Sequence, residues 1–251
     1  MSGDFTWVKI HKEVKARKAL AASPGLRSVG FLVVNEIVRC LKSELVAEIF
    51  SAHFPVIYQS MPSYSPQPEL PGIGGCIIDE GVVRLPSVKI FWCSEAGLLV
   101  VVGYHANFNG QYEVARKVLD LLKSMGVEEL YVLAAHAKHE GGEICCAAVA
   151  SDLLEVFKGK TGLQPCSTGP FLGFSGLLFG LAQSYKMKAV ALFSKTEPDY
   201  DNPEIPDPRA AIRLLDFLNK VFGLAVKPSK ELVEAAKAIE AERRPKGLTY
   251  F

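Results

Sequence analysis

Residues 97–135 read GLLVVVGYHANFNGQYEVARKVLDLLKSMGVEELYVLAA. Leu98–Val102 is an unbroken run of leucine and β-branched side chains, the pattern of a strand covered on both faces rather than one with a wet side. From about Gly110 the apolar residues Val114, Val118, Leu121, Leu122 and Met125 fall on one helical stripe, and Gly126 supplies the stop. A second apolar run follows at Leu130–Ala135. Strand, helix and strand in so short a span make a βαβ unit, right-handed by default.

The alternation extends in both directions and places the chain in the α/β class, a sheet with helices on both faces. Upstream, a strand is expected at Phe5–Ile10, then a break at Ser23-Pro24-Gly25. A helix carrying Val29, Leu32, Val33, Ile37, Cys40 and Leu41 follows, behind a Ser28 cap. Downstream, an apolar helix at Phe174–Tyr185 leads to a strand at Ala189–Phe193. Asp207-Pro208 sets a capping carboxylate before a proline at the first helical position, and Ala211, Leu214, Leu215, Leu218 and Phe222 carry the stripe to Gly223. The last helix runs from Ser229 to about Glu242, with Pro245 and Gly247 beyond it. Residues 1–243 are expected to form a single α/β domain and 244–251 a flexible tail. Two long proline-rich loops stand out: Ser60–Gly75 is expected to be functional, at an interface or mobile, and Lys195–Pro206 to be a rim or interface loop.

At 251 residues the chain is long enough for a core that stands without disulfides, and 49% hydrophobic against 22% charged residues excludes wholesale disorder. A mean hydropathy of +0.18 points to extra buried surface, such as a subunit interface. Lys and Arg number 28 against 27 Asp and Glu, a net charge of +1 that gives no long-range field, so neither nucleic acid nor membrane partners are expected. The apolar stretch Pro170–Ala182 is shorter than the roughly 20 residues that cross a bilayer. Met1–Val8 lacks the features of an export signal, which implies a cytoplasmic protein. Cys40, Cys76, Cys93, Cys145, Cys146 and Cys166 show no C-x-x-C spacing and are read as reduced core residues.

Several constellations bear on chemistry. Gly173-Phe174-Ser175-Gly176 resembles a nucleophile elbow, but Leu177 stands where the final glycine belongs. Gly25 and Gly30 in the first turn, with Gly173, Ser175 and Gly176 in the second, are candidate ligand or anion turns, since glycines admit close approach and a helix start favours negative charge. Tight packing is their plainer role. His136, His139, Glu140 and Glu143 cluster after a strand, yet Gly141-Gly142 argues for a loop and no metal-ligand spacing is present. No metal, cofactor or catalytic residue is assigned. The vicinal pair Cys145-Cys146 must point to opposite faces of a strand, as structural cysteines. The end Gly247-Leu248-Thr249-Tyr250-Phe251 places two large rings beside a free carboxylate, a group suited to insertion into a pocket of N–H donors or a cation.

The sequence resembles the proteasome assembly chaperone 2 family, in particular its archaeal members, from Pro24-Gly25-Leu26-Arg27-Ser28-Val29-Gly30 to Glu240. The most specific parts are Gly110-Gln111-Tyr112-Glu113-Val114-Ala115, Gly173-Phe174-Ser175-Gly176-Leu177-Leu178 and Pro206-Asp207-Pro208-Arg209-Ala210-Ala211. The resemblance implies a three-layer α/β/α sandwich with a central, mostly parallel mixed sheet, akin to the nucleoside phosphorylase/hydrolase-like fold. It also implies no enzymatic activity and a homo-oligomer, trimer to pentamer. Some archaeal members dock a hydrophobic-Tyr-any terminus between α-subunits of the 20S proteasome. Here that terminus is Thr249-Tyr250-Phe251, with threonine at the hydrophobic place and Leu248 before it. The implied partner-binding residues are therefore Leu248, Thr249, Tyr250 and Phe251. The alternative is a nucleoside- or phosphate-binding enzyme using the turns at Gly25 and Gly173 with His105 or His136 as base.

Overall fold

A computed structural model describes residues 5–55, 76–105, 107–137, 142–167, 169–197 and 205–243. In chain order these form β1 (Thr6–Ile10), β2 (Lys18–Ala22), α1 (Val29–Cys40), β3 (Glu44–Ser51), β4 (Ile77–Asp79), β5 (Val82–Arg84), β6 (Ser87–Cys93), β7 (Leu98–Val102), α2 (Gln111–Ser124), β8 (Glu129–His136), β9 (Ile144–Ala148), α3 (Ser151–Thr161), β10 (Gln164–Pro165), α4 (Gly173–Ala182), β11 (Lys188–Lys195), α5 (Pro208–Phe222) and α6 (Lys230–Arg243). The loop expected at Ser60–Gly75 lies outside the described residues, as do residues 198–204 of the second loop.

One mixed sheet has the strand order β1-β3-β6-β7-β2-β8-β11-β9-β10, and β4 pairs with β5 as a separate hairpin. The central strands β7, β2, β8 and β11 run parallel, while β6, β3 and β1 continue antiparallel on one side and β9 on the other. The βαβ unit is present as read. Its two strands flank β2, which gave no strand signal because Lys18-Ala-Leu-Ala-Ala22 is built of helix-forming residue types. Pairing on both sides and burial of four of its five residues override that preference.

Alternate side chains of the central strands enter two cores. Ala19, Ala21, Leu99, Val101, Leu130 and Val132 pack under α2 and α4, whereas Leu20, Ala22, Leu98, Val100, Leu133 and Leu192 pack under α1 and α5. With α6 laid on α5, the molecule is a three-layer α/β/α sandwich. No helix among the described residues is long and apolar enough to cross a membrane.

The helix-start readings divide by backbone conformation. Asp207 caps α5, its Oδ1 accepting from the N–H groups of Arg209 (3.1 Å) and Ala210 (3.2 Å), with Pro208 in the first position. Ser229 Oγ caps α6 by accepting from Leu232 N–H at 3.1 Å. Ser28 does not cap α1. Both it and Arg27 adopt φ +50°, the chain enters through a short 3-10 turn at Leu26–Ser28, and the Ser28 side chain makes no capping bond. The helix expected to reach Tyr185 ends at Ala182, where tight backbone turns lead into β11.

The cysteine reading needs two corrections: Cys76 is exposed, and Cys145 and Cys166 form a disulfide. Their separation of 21 residues carries no signature in the sequence, and they meet because β10 lies beside β9 in the register Gln164↔Cys145 and Pro165↔Cys146. Cys146 points to the opposite face, into the core under α1 and α5. Burial pushes the Cys146 and Cys93 thiols up, so neither is an activated nucleophile.

Candidate functional site

The parallel strands β2, β8 and β11 end at one edge of the sheet, where open α/β sheets bind ligands. Two turns face each other there, the one that leaves β2 at Ser23 and the one that enters α4 at Gly173. Between them lies a cavity of about 570 Å³, walled by Leu133, Phe171, Phe174, Phe179, Phe193 and the Cys145–Cys166 disulfide, with Ser23, Gly25, Gly30, His136, Ser167 and Ser175 among its lining residues. Of the five candidate turn residues the structure brings Gly25, Gly30 and Ser175 to this cavity; Gly173 and Gly176 do not line it.

The two turns are closed on each other by hydroxyls. Ser23 and Ser175 hydrogen-bond through their Oγ atoms at 2.8 Å, and the Ser23 N–H donates to Ser175 Oγ at 3.2 Å. Two glycines have packing duties and a third a conformational one. A Cβ on Gly30 would stand 2.1 Å from the Leu133 carbonyl oxygen, one on Gly176 would stand 2.0 Å from that of Phe171, and Gly173 has φ +77°. Helix α1 therefore lies directly on β8 because residue 30 has no side chain.

The remaining candidates scatter. His136 lines the cavity and its carbonyl accepts from Thr196 N–H at 2.8 Å, but His139 and Glu140 lie outside the described residues. Glu143 is turned to Arg213, 2.9 Å away. His105 is buried away from the cavity, its Nδ1 accepting from Asn107 N–H at 3.2 Å. Among the described residues no cluster of three His, Cys, Asp or Glu side chains is placed to hold a metal. The cavity offers apolar burial with a few hydrogen-bonding points, and two of its serines, Ser23 and Ser175, hydrogen-bond each other. Leu248, Thr249, Tyr250 and Phe251 lie outside the described residues.

Sequence reading missed Arg27. Its guanidinium is buried and donates to the carbonyl oxygens of Ile205 and Glu197, the latter at 3.1 Å, so it clamps both described ends of the Lys195–Pro206 loop. The Arg27 carbonyl accepts from Asp207 N–H at 2.9 Å. Burial alone would raise the Asp207 carboxyl. The Thr196 hydroxyl at 2.7 Å, the Ala210 N–H and the charges of Arg209 and Arg27 outweigh it and hold the group below its ordinary value. The only sequence cue was the arginine two residues after Pro24-Gly25.

The sequence of residues 19–244 matches the family model described as the PAC2 family. The chain belongs to the PAC2 family. Over 95% of this chain and 97% of the other, the fold of this PAC2 protein is similar to the crystal structure of Pyrococcus furiosus PbaB, an archaeal proteasome activator, with TM-score 0.75 and 23% identity. It is similar also to Pyrococcus furiosus PbaA, an archaeal homologue of proteasome-assembly chaperone, with TM-score 0.71 and 21% identity over 94% of each chain. The proteasome-assembly chaperone homologue Rv2125 of Mycobacterium tuberculosis shares the PAC2 architecture at TM-score 0.62 and 16% identity, over 93% of this chain and 97% of that one. No curated protein matches the sequence.

Proposed function

We propose that this protein is a non-catalytic, proteasome-assembly-chaperone-like factor, a cytoplasmic homo-oligomer that binds 20S proteasome α-subunits through its C-terminal tail. The observation that carries the reading is the PAC2 match across residues 19–244. The near full-length likeness in fold to PbaB and PbaA supports it. The tail chemistry fits. In a pocket between subunits the terminal carboxylate pairs with a cation at the base while the Tyr250 ring buries area against the walls. One tail binds weakly, and several tails on one oligomer gain by effective concentration, by roughly 100-fold or more when the linkers reach.

Removal of Thr249–Phe251 tests the tail. The truncated chain is expected to lose at least about 90% of its binding to 20S particles in a pull-down at equal concentration, because each Tyr250 anchor is worth at least about 1 kcal/mol and the tails act together. Undiminished binding would remove the tail from the mechanism. The alternative enzyme finds Gly25 and His136 at one cavity, but Gly30, Gly173 and Gly176 are explained by close approach and backbone conformation.

A further inference from the structure

The opposite edge of the sheet carries a second cleft, of about 640 Å³, between the starts of β2, β8 and β11 and the last turns of α3 and α5. Its size falls in the range of roughly 300–1,000 Å³ usual for small-molecule sites. Four lysines line it, Lys18, Lys160, Lys188 and Lys220, against the single carboxylate of Glu129. The strand register sets Glu129 between Lys18 and Lys188. Glu129 is already engaged by Lys18 at 3.9 Å and by the Tyr131 hydroxyl, which donates at 2.8 Å. Among the described residues Lys160, Lys188 and Lys220 form no ion pair within 4.0 Å. The C-terminal ends of α3 and α5 contribute about half a negative charge each. With Glu129, they still leave the cleft with an excess of positive charge.

Aromatic rings form the floor. Tyr131 meets the Phe222 ring edge-on at 4.6 Å and lies 6.2 Å from Phe157, and the Lys18 ammonium stands 6.0 Å over Phe222. Ammonium groups beside aromatic faces suit a planar ring that carries an anionic group, the ring packing on the floor and the anion meeting the lysines. We propose that this cleft binds a small anionic ligand built on a planar ring, of the size and charge of a nucleotide. Binding needs no proteasome, so the proposal stands or falls separately from the tail.

Calorimetric titration of the full chain with ADP, adenosine and tripolyphosphate at low salt tests it. ADP is expected to bind saturably, with adenosine and tripolyphosphate each at least about tenfold weaker because each lacks one half of the recognition. Replacing Lys188→Ala and Lys220→Ala together, both exposed, should weaken ADP at least about tenfold while the urea midpoint stays unchanged. No saturable heat with ADP at millimolar concentration, equal affinity for tripolyphosphate, ADP binding indifferent to the double variant, or preference for an acidic peptide or oligonucleotide would overturn it.

Discussion

Gly30→Ala is expected to destabilise the protein by about 3 kcal/mol or more, since overpacking against backbone leaves no side chain to give way. The new methyl would lie 2.1 Å from the Leu133 carbonyl oxygen and 2.6 Å from its carbon. That carbonyl belongs to β8, which is paired to β2 and β11 on its two sides, so relief requires α1 to lift off the sheet. The lift would open the core formed by Val29, Val33 and Ile37 against Leu20 and Leu133. Gly159→Ala is the control. It lies in α3 with nothing within 4 Å of its Cβ, and should stabilise by about 0.5–1 kcal/mol through helix propensity. Urea unfolding of both variants measures the contrast, and a Gly30→Ala chain as stable as the parent would refute the close approach.

Asp207→Ala should cost about 2–4 kcal/mol, the sum of a lost helix cap and an orphaned buried partner. The alanine leaves the N–H groups of Arg209 and Ala210 uncapped and takes the acceptor from the Thr196 hydroxyl. Asp207→Asn keeps the capping oxygen and loses the charge, so at neutral pH it should be the milder variant. The pH dependence separates the two contributions. Because the folded carboxyl is held below its ordinary value, its extra stability is complete above the unfolded-state pKa of about 4 and fades as pH falls through the lower folded value. The stability gap between parent and Asp207→Asn should accordingly be full at neutral pH and narrow in urea titrations carried into the acid range. A gap that widens towards acid would contradict the assigned shift.

The elements legible in the sequence are those whose own residues state their environment. Leu98–Val102 announces a strand buried on both faces, and Asp207-Pro208 together with Gly223 brackets α5 at both ends. The elements that sequence reading missed take their state from neighbours. Lys18–Ala22 becomes a strand by lying between β7 and β8, and the bond from Cys145 to Cys166 depends on β10 pairing with β9. Ser28 shows the limit of residue type as a guide, because a serine before an apolar stripe caps only when its backbone is extended, and here φ is +50°.

The candidate site was half legible for the same reason. The glycine turns were visible as turns, and their meeting at one sheet edge follows from the strand order, which no single segment encodes. Local sequence offered Gly30 and Gly176 as candidate ligand turns with tight packing as the plainer role, and the structure places a carbonyl oxygen close to each while Gly30 also lines the cavity. Arg27 was passed over because its partners, the carbonyls of Glu197 and Ile205, lie far along the chain.

Light scattering of the purified chain, alone and mixed with 20S particles, tests the proposed role most directly. The expected result is a discrete homo-oligomer in isolation and a larger species of summed mass when the particles are added. A monomer whose scattering is unchanged by 20S particles would contradict it.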